Sequence, residues 1–193
     1  MAQSRDRLLD AARDLVAEGG FAAASVAQVA ERAGVATGTV YRHFPSKADL
    51  LCEVFREAAG REVAMMRTQT EQSGSATQRL GAAISTFARR AIRGRRLAYA
   101  LIAEPVDPAI ETERLAFRRA YAEVLADLLA SGVRCGEFRP QDVATSAASL
   151  VGALAEALVG PLAPIAPDLP EGDALVQSMI EFCTHAVRAP TQE

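Results

Sequence analysis

The chain has 193 residues, of which 50% are hydrophobic and 23% are charged, and its formal net charge is −3. This composition is typical of a folded globular protein and excludes a disordered one. Cys52, Cys135 and Cys183 lie far apart, and the two histidines have no metal-ligand spacing, so we expect no disulfide, metal site or cofactor. The polar N-terminus and the lack of a long uncharged apolar run predict a cytoplasmic protein without a membrane segment.

Apolar residues recur at helical spacing along the whole chain, and no sustained strand-like alternation is present. The sequence therefore predicts an all-α protein. We expect a small N-terminal head of three helices at residues 1–47, carried on a larger helical bundle at 48–193.

The head contains two short helices joined by a tight turn. Helical spacing first predicts a helix that covers residues 8–16. Ser25 and Gln28 then form a capping box that starts a second helix, and Gly34 ends it. A third helix follows at 37–44. This is the arrangement of a helix-turn-helix, in which the second helix of the pair enters the major groove of DNA.

The third helix has one face rich in hydrogen-bond donors. Gly38 on this face lets the backbone approach DNA closely. Lys47 begins the fourth helix, where its ammonium group and the free N–H groups of the first turn can hold a phosphate. Segment 32–47 carries three cations and no carboxylate, which predicts a local electropositive surface on an acidic chain. The donor-rich side chains are Thr37, Thr39, Tyr41, Arg42 and His43.

The run GFAAASVAQVAERAGVATGTVYRHFPSKADLL, at residues 20–51, resembles the DNA-binding domain of tetracycline-repressor-like (TetR-family) regulators. The match lies in V-A-x-x-A-G-V, G-T-V-Y-x-H-F and x-S-K-x-x-L-L at the family's spacing. It covers about the first 55 residues, and the body resembles the family only in architecture. The resemblance implies a transcriptional regulator, a repressor that binds a palindromic operator as a homodimer and is released by a small, largely apolar effector.

The resemblance also implies a role for each residue of the candidate interface. Ser25 would be a phosphate-contacting cap of the second helix. The base edges would meet Thr37, Gly38 and Thr39. The phosphate backbone would meet Tyr41, His43 and Lys47, while Arg42 would reach either a base or a phosphate.

The body is predicted as five helices, near 79–93, 95–104, 109–131, 141–160 and 171–188. A polar stretch at 68–78 is expected to link the head to this body. The segment PLAPIAPDLP, at 161–170, has proline at every third residue. It favours a stiff connector, with a ligand for a proline-recognition domain as the alternative.

The last two predicted helices are apolar on two sides, so both sides need cover. We predict a four-helix dimer interface, which the family resemblance also implies, with a buried monomeric core as the alternative. The predicted interface residues are Ala148, Val151, Gly152, Ala155, Val159, Met179, Phe182 and Cys183.

The middle helices carry apolar stripes with a few polar tips, among them Glu104. They predict a cavity for a small apolar ligand, with a simple packed core as the alternative. The predicted lining residues are Phe87, Tyr99, Ile102, Phe117, Tyr121 and Leu125.

Five arginines at 89–96 admit three interpretations: a second DNA patch, a solvated helix end, or contacts with Asp10, Asp14 and Glu18 of the first helix. The sequence has no G-x-S-x-G elbow and no phosphate-binding glycine loop, so we expect no enzyme. The alternative function is a regulator or an interaction module that has no small-molecule effector.

Overall fold

The computed structural model describes residues 2–165 and 172–189, and within these ranges it confirms the all-α prediction. The elements are α1 Ala2–Gly19, a 3₁₀ turn Phe21–Ala23, α2 Val26–Ala33, α3 Thr37–His43, α4 Lys47–Thr70, α5 Ala76–Arg93, α6 Arg95–Ile102, α7 Pro108–Arg134, α8 Val143–Leu162 and α9 Gly172–Val187.

Local capping interactions set several of these helix ends. Ser25 and Gln28 form the predicted capping box at the start of α2. Gly34 ends α2 in the left-handed conformation, with φ of 68°, which favours glycine. A second capping box, formed by Ser75 and Gln78, starts α5. The side-chain oxygen of each N-cap satisfies an N–H group that has no partner within its helix.

Segment 68–78 is not an interdomain linker. Helix α4 continues to the buried Thr70, and α5 already begins at Ala76. The carboxylate of Glu137 accepts hydrogen bonds from the N–H groups of Ala76 (2.9 Å) and Thr77 (3.0 Å). The polar composition therefore marks a short turn that is tied into the body.

The buried side chains form two hydrophobic cores. The head core combines α1–α4 with Ala100 of α6 and Ile110 of α7. The body core combines α5 and α7–α9 with Met66 near the end of α4. Helix α4 thus contributes to both cores, and the boundary between residues 47 and 48 stays a prediction.

Helix α8 is the element of the described residues that bears on the expectation of no membrane segment. By length and composition alone it is apolar enough to cross a membrane, and 22% of its most apolar window is buried. Pro161 lies inside this helix. Half of the predicted polyproline connector, residues 166–170, lies outside the described residues.

Candidate DNA interface and ligand cavity

The recognition helix α3 is amphipathic as predicted. Val40 and the adjoining Phe44 are buried in the head core. A Cβ built on Gly38 would meet no protein atom within 4 Å, so this part of the helix is open to a partner. Of the predicted contact residues, Thr37, Gly38, Tyr41 and Arg42 are exposed, while Thr39 and His43 are half-buried.

Helix α1 braces the helix-turn-helix from behind. Arg7 Nη2 donates a hydrogen bond of 2.5 Å to the carbonyl oxygen of Ala33, at the end of α2. The guanidinium carbon of Arg5 lies 5.2 Å from the ring centroid of Phe44, a cation–π contact. These contacts hold α2 and the end of α3 against the same helix.

The electropositive surface is smaller than the sequence predicts. Arg32 pairs with Glu18 of α1 through contacts of 2.6 and 2.9 Å. Hydrogen bonding within this pair lowers the pKa of Glu18 and raises the pKa of Arg32. Arg42 and Lys47 form no ion pair with a carboxylate of the described residues. The cations available to DNA on segment 32–47 are therefore Arg42 and Lys47.

Ser25 and Lys47 occupy the first turns of α2 and α4. The Ser25 hydroxyl donates to Gln28 Oε1 at 2.6 Å and accepts from Gln28 N at 3.3 Å, so its hydrogen is engaged within the capping box. Lys47 is exposed beside the N-cap Ser46. Lys47 thus has the placement that a phosphate contact needs, whereas Ser25 would first have to release Gln28.

A cavity of about 320 Å³ lies where the two cores meet, enclosed by helices α4–α8. Its walls are largely apolar, with Phe87 and Tyr121 in edge-to-face contact at 5.8 Å between ring centroids. Arg90 and Glu62 form an ion pair in the wall, with N–O distances of 2.6 and 2.7 Å. Burial raises the pKa of Tyr121, so this hydroxyl is a neutral polar group of the cavity.

Four of the six predicted pocket residues, Phe87, Ile102, Phe117 and Tyr121, line this cavity. The prediction is wrong for the other two. Leu125 is fully buried in the body core, and Tyr99 packs against that core without lining the cavity.

Glu104, predicted as a polar tip of the cavity, is not among its lining residues. It lies beyond the end of α6, where its carboxylate turns toward the head. The sequence predicted the helix and the position of Ile102 in the cavity wall, but not that Glu104 turns away from the cavity.

The sequence predictions named none of the cavity residues that α4 contributes. These residues recur every three or four positions, in a largely apolar stripe that continues beyond the head and was readable in the sequence. They are Phe55, Ala59, Glu62 and Met66.

The open side of the cavity is strongly cationic. Arg93 and Arg118 are exposed lining residues, and neither forms an ion pair within the described residues. The lining as a whole contains four arginines and one carboxylate. An anionic group at this opening would be attracted by the unpaired guanidinium groups.

The other arginines of the 89–96 run are engaged in the fold. Arg89 pairs with Asp173 at 2.5 Å, and Arg95 donates to the carbonyl of Ala163. Arg96 reaches α1, but it donates to the Gly19 carbonyl at 2.7 Å and not to the predicted acids. Arg96 therefore contacts the head through a backbone carbonyl, and Glu18, one of the predicted acids, is paired with Arg32 instead.

The predicted dimer residues divide into three groups. Ala148, Gly152 and Phe182 are exposed, and Val159 is half-buried. Val151 and Ala155 instead line the cavity of their own subunit. Met179 and Cys183 are wrong as interface residues, because they are buried in the body core.

No cluster of three or more potential metal ligands occurs among the described residues, and the three cysteines are free.

Comparison with known proteins identifies the family. Residues 8–54 match the model "Bacterial regulatory proteins, tetR family", and residues 73–158 match "Tetracyclin repressor-like, C-terminal domain". The chain is 30% identical over 139 residues to the HTH-type transcriptional repressor KstR2 of Rhodococcus jostii, which covers 70% of this chain and 68% of that protein. It is 27% identical over 135 residues to the fatty acid metabolism regulator protein of Bacillus subtilis, with 69% and 70% covered.

Two solved structures show the same fold. FadR of Bacillus subtilis, in complex with stearoyl-CoA, has a TM-score of 0.80 at 24% identity and covers 93% of this chain and 97% of its own. A regulator from Saccharomonospora viridis, in complex with choline, has a TM-score of 0.81 at 20% identity, with 98% and 100% covered. The chain belongs to the TetR family of bacterial regulatory proteins and is a DNA-binding transcriptional regulator whose helix-turn-helix is formed by α2 and α3.

Proposed function

We propose that this regulator is a homodimeric repressor that releases its operator when an amphipathic anion binds. The apolar chain of the ligand occupies the cavity, and its anionic head lies at Arg93 and Arg118. The observation that carries this proposal is the apolar cavity with two unpaired guanidinium groups at its opening. The protein acts by binding alone, without catalysis, as its regulator relatives do.

The charge of the cavity favours an anion over a cation. Arg90 neutralises Glu62, the single carboxylate of the lining, and Arg114 is paired with Glu111. A quaternary ammonium ligand such as choline would therefore face a net positive surface. A fatty acyl thioester of coenzyme A, the ligand in the Bacillus subtilis FadR structure, combines an apolar chain with phosphates and fits this distribution.

The position of the cavity supports coupling to DNA binding. Helix α4 carries cavity residues such as Met66 and begins at Lys47, the residue that we assign to a DNA phosphate. In a two-fold dimer, the recognition helices must lie about 34–36 Å apart, or a multiple of this, to read successive major grooves. A ligand that binds better to a dimer in which the recognition helices lie at another distance will lower operator affinity.

The homodimer is proposed from the outer faces of α8 and α9. The α8 face contains Ala148 and Gly152, and a Cβ built on Gly152 meets no protein atom within 4 Å. On α9, 64% of Phe182 is exposed. A second copy would cover both faces through a two-fold interface, which also accounts for the apolar surface of α8.

The ligand proposal is tested with a duplex selected from random DNA by the protein itself. Fluorescence anisotropy measures its affinity with stearoyl-CoA, stearate, free coenzyme A or choline present. We expect stearoyl-CoA to release the duplex and choline to have no effect. The double variant Arg93→Gln/Arg118→Gln should need about tenfold more stearoyl-CoA to release the duplex. Arg119→Gln, an exposed arginine of α7 outside the cavity lining, is the control.

Two results would reject this ligand class: release by choline, or an equal loss of response in Arg119→Gln. A protein that none of the compounds stabilises or releases would instead support the alternative of a regulator without a small-molecule effector.

A further inference from the structure

Glu104, a residue of the body, holds the turn between α1 and α2 of the head. It lies two residues after the end of α6, and only 9% of it is exposed. Its carboxylate oxygens accept hydrogen bonds from the backbone N–H groups of Phe21 (3.1 Å) and Ala22 (3.3 Å). These N–H groups begin the 3₁₀ turn and have no partner within it, so the carboxylate satisfies both at once.

The contact is closely packed and is reinforced by a second residue of the same helix. Gly20 has a φ of 80°, and a Cβ built on it would overlap the carboxylate of Glu104. Arg96 of α6 donates a hydrogen bond of 2.7 Å to the carbonyl of Gly19, the last residue of α1. Residues of α6 and its C-terminal extension thus contact both sides of the α1–α2 connection.

The end of α6 is in turn held by a residue of the cavity. Arg114 of α7 is 8% exposed and lines the cavity. Its guanidinium group donates to the carbonyls of Ala100 (3.2 Å), Leu101 (2.9 Å) and Glu104 (2.7 Å). The last carbonyls of a helix have no partner within the helix, so Arg114 fixes the end from which Glu104 projects.

Helix α6 therefore separates the cavity from the head turn. Its cavity residues are Leu97, Ala98, Leu101 and Ile102. A ligand that presses on this wall displaces a helix of only eight residues, whose end is hydrogen-bonded to the connection that leads into α2. Glu104 makes two hydrogen bonds in a tightly packed site, so its side chain has no room to change conformation. A shift of α6 therefore moves the α1–α2 turn as well.

We propose that Glu104 is a positioning residue that transmits the occupancy of the cavity to the DNA-binding head. The inference rests on the proposed function, since it concerns how the same cavity regulates operator binding. Without the Glu104 contact, ligand binding and operator binding persist but become independent of each other.

The chain contains a matched control for this residue. Glu137 also accepts hydrogen bonds from two backbone N–H groups, those of Ala76 and Thr77. These groups lie at the start of α5, in the body. Glu104→Gln and Glu137→Gln therefore remove a similar contact from two different places. A purely structural role predicts the same behaviour from both variants.

The first experiment measures operator affinity by anisotropy with and without saturating stearoyl-CoA, and measures stearoyl-CoA binding by calorimetry. In the wild type we expect operator affinity to fall by about 5- to 150-fold, the range of typical allosteric couplings. The ratio of operator affinity without stearoyl-CoA to operator affinity with it should be at least threefold smaller in Glu104→Gln. The affinity of this variant for stearoyl-CoA should stay within twofold of the wild type. Glu137→Gln should keep the wild-type ratio. Gly20→Ala, which crowds the carboxylate from the other side, is the second variant and should also lose coupling.

The second experiment requires no ligand. Ala98→Phe places a phenyl ring in the cavity from α6 and should weaken operator binding when Glu104 is present. The fold-change in operator affinity that Ala98→Phe causes should be at least threefold smaller when it is combined with Glu104→Gln. If stearoyl-CoA does not bind the wild type, the proposed ligand class is wrong, and the Ala98→Phe comparison still tests Glu104. An unchanged effect in the Glu104→Gln background, or no effect of Ala98→Phe in the wild type, would overturn the role of Glu104.

Discussion

Arg42 Nη2 donates a hydrogen bond to Thr39 Oγ1 at 3.3 Å, which joins two residues on the polar side of the recognition helix. Because the Thr39 hydroxyl accepts this bond, its own hydrogen stays available for a base acceptor. Arg42 is exposed, and the contact orients its guanidinium group along the helix. We therefore expect the contributions of these two side chains to DNA binding to be coupled.

Replacing Thr39 should reduce specificity more than overall affinity. We expect Thr39→Ala to narrow the difference in binding free energy between operator and random DNA by about 1–3 kcal/mol for each base that the side chain reads. Thr39→Ala and Arg42→Ala should be non-additive by at least about 0.5 kcal/mol, because the two side chains are in contact. Anisotropy with both duplexes measures these quantities. Equal losses on both duplexes would contradict the assignment of Thr39 to a base.

Lys47 is the only lysine of the chain and should bind phosphate without reading sequence. Lys47→Ala is expected to weaken operator and random duplexes alike and to reduce the slope of log affinity against log salt by about 0.9 for each phosphate that the ammonium group neutralises. Arg61→Ala, an exposed cation of α4 that pairs with Glu57, is the control and should keep the wild-type slope. A loss of discrimination in Lys47→Ala would show that this residue faces a base.

A charge on the outer face of α8 should separate the proposed dimer. Since Gly152 has open space around it, Gly152→Arg should leave the subunit folded while costing several kcal/mol of association free energy at a contact between helices. Sedimentation velocity at micromolar concentration should show a dimer for the wild type and a monomer for this variant. Ala116→Arg, an exposed alanine of α7, should remain dimeric. A monomeric wild type would reject the interface.

The three thiols should differ sharply in reactivity. Cys135 is exposed, whereas Cys52 and Cys183 are buried. Burial raises the pKa of Cys183 to about 11 and also raises the pKa of Cys52, so little thiolate forms at either position at pH 8. A colorimetric disulfide reagent should titrate one thiol rapidly in the native protein and three after denaturation. Cys135→Ser should remove the rapid phase, and its persistence would contradict the burial of the other two.

Glu137 should make stability depend on pH in the acid range. Hydrogen bonds from the N–H groups of Thr77 and Ala76 hold the pKa of this carboxyl below its usual value. Its contribution is therefore complete above the unfolded-state pKa of about 4.3 and is lost as the pH falls through the lower folded-state pKa. Urea unfolding should show Glu137→Gln to be about 1 kcal/mol less stable than the wild type at pH 7.

The difference between wild type and Glu137→Gln should shrink below about pH 4.3, where the wild type also becomes protonated. Glu123→Gln, an exposed glutamate of α7, should follow the wild type at every pH. A difference in unfolding free energy between Glu137→Gln and the wild type that stays constant from pH 7 to pH 3 would contradict a contribution from the ionised Glu137 carboxylate.

The helical fold and the DNA-binding element followed from the order of residues alone. The capping box of Ser25 and Gln28, the left-handed Gly34 and the apolar positions around Val40 act within three or four residues of each other. Such local interactions depend on neighbouring residues and not on the rest of the fold. The positions of α2 and α3, and the exposed polar face of α3, were for this reason predictable.

Which of the remaining side chains meet depended on the packing of the helices. Arg32 pairs with Glu18, Met179 turns into the body core, and Glu104 leaves the cavity for the α1–α2 turn. Helical spacing shows which residues share a face of one helix, but not which other helix that face meets. The Glu104 contact joins residues more than 80 positions apart, a separation at which the packing of α6 against α1 sets the distance. Cavity lining, unpaired charge and the contact of Glu104 with the head were therefore established only by the tertiary fold.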